Sequence, residues 1–66
     1  MNFDIPIPTW TRWLAQDKDG QWCAYSSEPY KDRSAGMWDT PGTIEIVCTT
    51  TPPEDWTQEL YQITWS

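Results

Sequence analysis

Sixty-six residues make one small domain, with ten Asp and Glu against four Lys and Arg for a net charge of −6. That balance excludes a phosphate-tracking surface: Arg12, Lys18, Lys31 and Arg33 are the only cations, and nucleic-acid binding needs a basic stripe that displaces counterions. It also repels anionic membrane surfaces, and no run approaches the roughly 20 apolar residues of a membrane span.

A chain of this size buries only about 60% of its unfolded surface, so its core is thin. Six Trp, three Tyr and one Phe answer that shortage, since each large ring buries about 150–250 Å² for few frozen torsions. The first ten residues, MNFDIPIPTW, carry no basic n-region and no apolar h-region, so a cytoplasmic location is expected. In that compartment Cys23 and Cys48 read as small buried hydrophobes. Neither sits in a CxxC pair and there is no His, so no metal site is expected.

In chain order, Ile5-Pro6-Ile7-Pro8 forces an extended backbone, and residues 1–8 are expected to strap Phe3, Ile5 or Ile7 against a sheet. Thr9 to Ser26 is a hairpin signal, two aromatic runs flanking Asp17-Lys18-Asp19-Gly20. Gly20 admits a positive φ, and Asp17 and Asp19 offer carboxylates to nearby amides. Alternation puts Trp13 and Ala15 on one face and Trp10, Arg12 and Leu14 on the other. In the second run Trp22 and Ala24 share a face, opposite Cys23 and Tyr25. Residues 28–36 read as a surface loop containing Tyr30, and Asp39-Thr40-Pro41-Gly42 reads as a turn.

Residues 43–50, TIEIVCTT, form the cleanest strand pattern, with Ile44, Ile46 and Cys48 facing one way. Thr51, Pro52 and Glu54 then resemble a helix start, and Trp56, Leu60 and Ile63 recur at helical spacing. The expected fold is α+β: a three-stranded antiparallel meander over 9–50 with one helix over 51–64 packed on one face. Trp13, Trp22, Ile44, Ile46, Trp56 and Leu60 are the expected core.

Catalysis lacks its usual parts. There is no His base near neutral pH, no partner to activate Cys23, and the three glycines at 20, 36 and 42 build no phosphate cradle. No enzyme activity and no cofactor are expected.

Trp13, Gly20, Trp22, Tyr25 and Trp38-Asp39-Thr40-Pro41 resemble the WW-domain layout. The resemblance implies a Trp13–Pro41 buckle and a Tyr25–Trp38 grip on proline-rich peptides. The chain departs from it in lacking an adjacent aromatic pair in its second strand, in its longer loop before Trp38, and in the further strand and helix expected after Pro41. Across residues 10 to 63, several features resemble small accessory proteins of tailed bacteriophages. They are the Trp-rich run, the Asp17–Gly20 turn, Gln21-Trp22-Cys23-Ala24-Tyr25, Gly36-Met37-Trp38 and the spacing of Asp55-Trp56 with Leu60-Tyr61. That resemblance implies a non-enzymatic protein acting in the host cytoplasm, of a kind that binds and redirects or inhibits a host protein.

The expected activity is therefore protein binding through an aromatic, acid-rimmed face. Trp38, Tyr30 and Trp10 are the expected exposed anchors, and Asp32, Asp39 and Glu45 the expected rim. A basic or nucleic-acid-binding host protein suits that charge. Three alternatives stay open: a WW-like peptide binder, an acidic nucleic-acid mimic, and a self-associating homodimer.

Overall fold

The computed structural model describes residues 7–64. Within them lie six strands: β1 (Trp13–Gln16), β2 (Gln21–Tyr25), β3 (Tyr30–Asp32), β4 (Met37–Asp39), β5 (Ile44–Thr49) and β6 (Leu60–Gln62). A single 3₁₀ turn, Trp56–Gln58, precedes β6. Four strands form an antiparallel sheet in the order β5-β2-β1-β6, and β3 with β4 forms a separate hairpin.

The β1–β2 hairpin pairs Trp13 with Tyr25 through to Gln16 with Trp22. Its turn closes as its residues dictate. The Gly20 N–H donates to the Asp17 carbonyl at 2.9 Å and the Gln21 N–H to the Asp19 carboxylate at 3.0 Å. Gly20 takes φ 95°, and a Cβ there would stand 2.2 Å from the Thr50 carbonyl oxygen, so the following segment lies against bare backbone.

The alternation of the two runs divides the core. On one face Ala15, Cys23, Tyr25 and Trp38 are buried, flanked by Trp13, Trp56 and Leu60. On the other are Leu14, Trp22 and Ala24, flanked by Ile7, Trp10, Val47, Cys48 and Ile63. Ile7 packs against this second face; Phe3, Ile5 and most of the expected strap lie outside the described residues. Cys23 and Cys48, both free thiols, fall on opposite faces.

The expected α+β fold is corrected: a sixth strand stands where the helix over 51–64 was expected. The cap is not Thr51 but Asp55, whose carboxylate accepts the Thr57 N–H, and it starts only one 3₁₀ turn. Helical spacing would put Trp56, Leu60 and Ile63 on one side. Instead Trp56 and Leu60 pack on one face of the sheet and Ile63 on the other. The physical reason is β1, whose buried Leu14 and Gln16 would leave main-chain groups unpaired beside a helix. β6 and the residue before it meet them: Leu14 stands opposite Tyr61, and the Gln16 N–H donates to the Glu59 carbonyl at 3.0 Å.

A second correction concerns β5. Register shifts between Trp22 and Cys23, which face Cys48 and Ile46 respectively, leaving Val47 as a bulge. Cys48 therefore parts company with Ile46 and joins Val47 on the far face. Ile44 and Ile46, expected in the core, are exposed instead, because β5 is an edge strand outside the cover of β3–β4.

Candidate functional site: the outer face of the second hairpin

Trp38 holds the small hairpin down. Its indole N–H is shared between the carbonyls of Gln16 at 3.1 Å and Trp56 at 3.3 Å, and its ring meets that of Trp56 edge-on, centroids 5.9 Å apart. Its main-chain N–H donates to the Asp17 carboxylate at 2.8 Å, and the Lys18 N–H donates to the Gly36 carbonyl at 3.0 Å. Burial pushes the Asp17 carboxyl above its ordinary range; the Trp38 N–H pulls it back, and the neighbouring Asp19 charge adds a further rise. Four polar contacts thus tie the hairpin to the first turn and to the segment before β6.

Trp38 is 4% exposed, so its expected role as an exposed anchor is corrected. Alternation explains what takes its place. With Trp38 turned into the core, Met37 and Asp39 point away from it, and pairing of Tyr30 with Asp39 and of Asp32 with Met37 sets all four on one outer face. Tyr30 is 56% exposed and Met37 is 41% exposed. Of the six expected binding residues, the structure therefore brings together Tyr30, Asp32 and Asp39. Trp10 is half-buried and packs on the opposite face of the large sheet. Glu45 is exposed on β5 opposite Ala24, also on that far side.

The two acids of the hairpin are positioned rather than loose. The Asp32 carboxylate accepts the Ser34 hydroxyl at 2.7 Å and the Ala35 N–H at 3.2 Å, and these bonds hold its carboxyl below the ordinary range. Asp39 accepts the Thr40 N–H at 2.8 Å through one oxygen and the Tyr30 hydroxyl at 3.4 Å through the other. The Asp39 charge pushes the Tyr30 phenol up, which keeps it a hydrogen-bond donor. A groove runs beside Tyr30, lined by Glu28, Lys31, Trp38, Thr57, Gln58 and Leu60.

Met37 escaped the sequence reading, although its signal was present. Strict alternation along Met37-Trp38-Asp39 forbids Trp38 and Asp39 from sharing a strand face and pairs Asp39 with Met37. The residues implied by the WW resemblance are placed differently from one another. Tyr25 does meet Trp38, its hydroxyl 3.4 Å from the Trp38 carbonyl, but both are buried, and burial drives the Tyr25 phenol far above its ordinary range. Trp13 flanks the core while Pro41 is exposed.

Among the described residues no group of three or more His, Cys, Asp and Glu is placed to hold a metal ion. No helix there is long and apolar enough to cross a membrane. The chain matches no protein family, no curated protein and no solved structure. What is defined is a class: a small all-β domain with a pinned hairpin presenting two apolar side chains between carboxylates.

Proposed function

We propose that the protein is a non-enzymatic binding module that grips another protein through the outer face of β3–β4. Tyr30 and Met37 are the anchors, and Asp32 and Asp39 steer and orient a basic partner. The observation that carries this reading is the pairing of exposed Tyr30 and Met37 with two positioned carboxylates on a hairpin that Trp38 fixes from beneath. A rigid platform lowers the ordering cost of binding, and aromatic and Met side chains are the types enriched at contact centres. The resemblance to phage accessory proteins extends the proposal to its biology: capture and modulation of a host protein in the host cytoplasm.

The test is affinity capture from a bacterial lysate with wild type beside Tyr30→Ala and Met37→Ala, read by mass spectrometry. Both side chains are exposed, so far-UV circular dichroism should match wild type. The expected result is one protein retained by wild type and reduced at least tenfold by each variant. Equal capture by all three proteins, or none by wild type, would sink the reading.

A further inference from the structure

The longest of the described strands, β5, stands at an edge of the sheet. β5 stands last in the sheet order, with β2 on one side and, among the described residues, no strand on the other. Its ladder to β2 starts from the Ser26 N–H donating to the Thr43 carbonyl at 3.1 Å. In an antiparallel pair, hydrogen-bonding direction alternates residue by residue. The main-chain N–H and C=O groups of Ile44 and Ile46 therefore point away from β2, available to an incoming strand. Their side chains are 42% and 63% exposed, on the face shared with Tyr25 and Cys23.

Edge strands are ordinarily guarded by Pro, Lys or a bulge. β5 has no Pro and no Lys; its guards are the bulge at Val47, which interrupts the ladder before it resumes at Cys48, and Glu45. Glu45 decides what can pair. It lies between the two outward residues, its side chain on the opposite face with Ala24. A second copy docking antiparallel through the same two residues, Ile44 against Ile46, would set Glu45 directly against Glu45. Each copy also carries a net charge of −6. Like charges in directly opposed positions destabilise a strand pair, whereas opposite charges stabilise it.

We infer that the Thr43–Ile46 edge of β5 accepts an extended segment of another protein, antiparallel, with Lys or Arg opposite Glu45 and β-branched residues opposite Ile44 and Ile46. This is strand addition: main-chain bonds supply attachment and alternate side chains supply selection. The site lies on the large sheet, apart from the Tyr30 face, so either can fail without the other.

The probe is a capped peptide, Thr-Val-Lys-Val-Thr, beside its counterpart with Glu at the centre, titrated into isotope-labelled protein while amide shifts are followed. The Lys peptide should move the Ile44 and Ile46 amides and bind about threefold to tenfold more tightly than the Glu peptide. Ile46→Pro deletes an outward N–H that β2 does not use and should abolish binding. Glu45→Lys, at an exposed position, should invert the preference between peptides and stands as an independent arm. Failure of both peptides to shift these amides, or equal affinity for the two, would overturn the inference. So would a doubled mass in sedimentation without peptide, accompanied by shifts at Ile44 and Ile46 on dilution, because a second copy would then be the occupant.

Discussion

Replacing Trp38 with Ala should remove most of the stability of the domain. A buried Trp contributes about 150–250 Å² of burial, which at about 25 cal/mol per Å² is about 4–6 kcal/mol. Measured truncations of this kind cost about 3–5 kcal/mol. The loss also strips a donor from the Gln16 and Trp56 carbonyls and an edge contact from the Trp56 ring. A single core of this size supplies little more than about 3–5 kcal/mol in total. Trp38→Ala should therefore be largely unfolded at 25 °C by far-UV circular dichroism. Trp38→Phe keeps a ring but deletes the indole N–H, and should cost about 1–2 kcal/mol. With a urea slope near 1 kcal/mol per M, its unfolding midpoint falls by about 1–2 M. A Trp38→Ala midpoint within about 0.5 M of wild type would refute the assignment of Trp38 as the pin of the hairpin. The same reasoning disqualifies Trp38→Ala as a probe of partner contact, since loss of binding would report loss of the platform.

Gly20→Ala should cost about 2–5 kcal/mol, combining a left-handed φ with a Cβ forced against the Thr50 carbonyl. Gly36→Ala, at φ 70° but meeting only the flexible Lys18 side chain, should cost about 1–2 kcal/mol; equal urea midpoints for the two would contradict the close approach at Gly20. Asp17→Ala orphans the buried Trp38 N–H and should cost about 1–3 kcal/mol, while Asp17→Asn keeps an acceptor there. Because burial raises the folded carboxyl above 3.8, the folded chain holds a proton that the unfolded chain has released, and this group makes stability fall as pH rises through that window. Urea melts across the window should show Asp17→Asn gaining on wild type as pH rises, and a constant difference would discard the assignment. Iodoacetamide should label half-buried Cys48 well before Cys23, whose thiol is buried and pushed up by desolvation. Peptide mapping after brief exposure reads the order directly.

The first hairpin was legible because local chemistry and tertiary demand agree there. The turn residues, the alternation and the buried faces all require the same pairing of Trp13–Gln16 with Gln21–Tyr25. The expected helix over 51–64 fails because local signals conflict with the sheet. Thr51, Pro52 and Glu54 imitate a helix start, yet a two-to-three-turn helix has little stability of its own, and β1 needs a strand on its open side. The Tyr30-Asp32-Asp39 part of the proposed face was legible as composition but not as geometry. Ring size points to Trp38 as the exposed anchor, whereas the period-2 rule decides which neighbour faces out and selects Met37. The exposure of Ile44 and Ile46 was hidden in a clean strand pattern, since alternation shows that a strand has two faces and not whether either is covered.

The sheet order has a consequence for how the protein is made. A nascent chain emerges with β1 and β2 adjacent and able to pair at once, yet both flanking strands come from the later half of the sequence. Until β5 arrives, β2 is an open margin; until β6 arrives, the main chain at Leu14 and Gln16 is open as well. The early hairpin is thus sticky on both sides during synthesis, and β6, only three residues long, closes the last gap. Slow synthesis of residues 44–62 would prolong the interval in which the aromatic hairpin meets strangers before it meets β5 and β6.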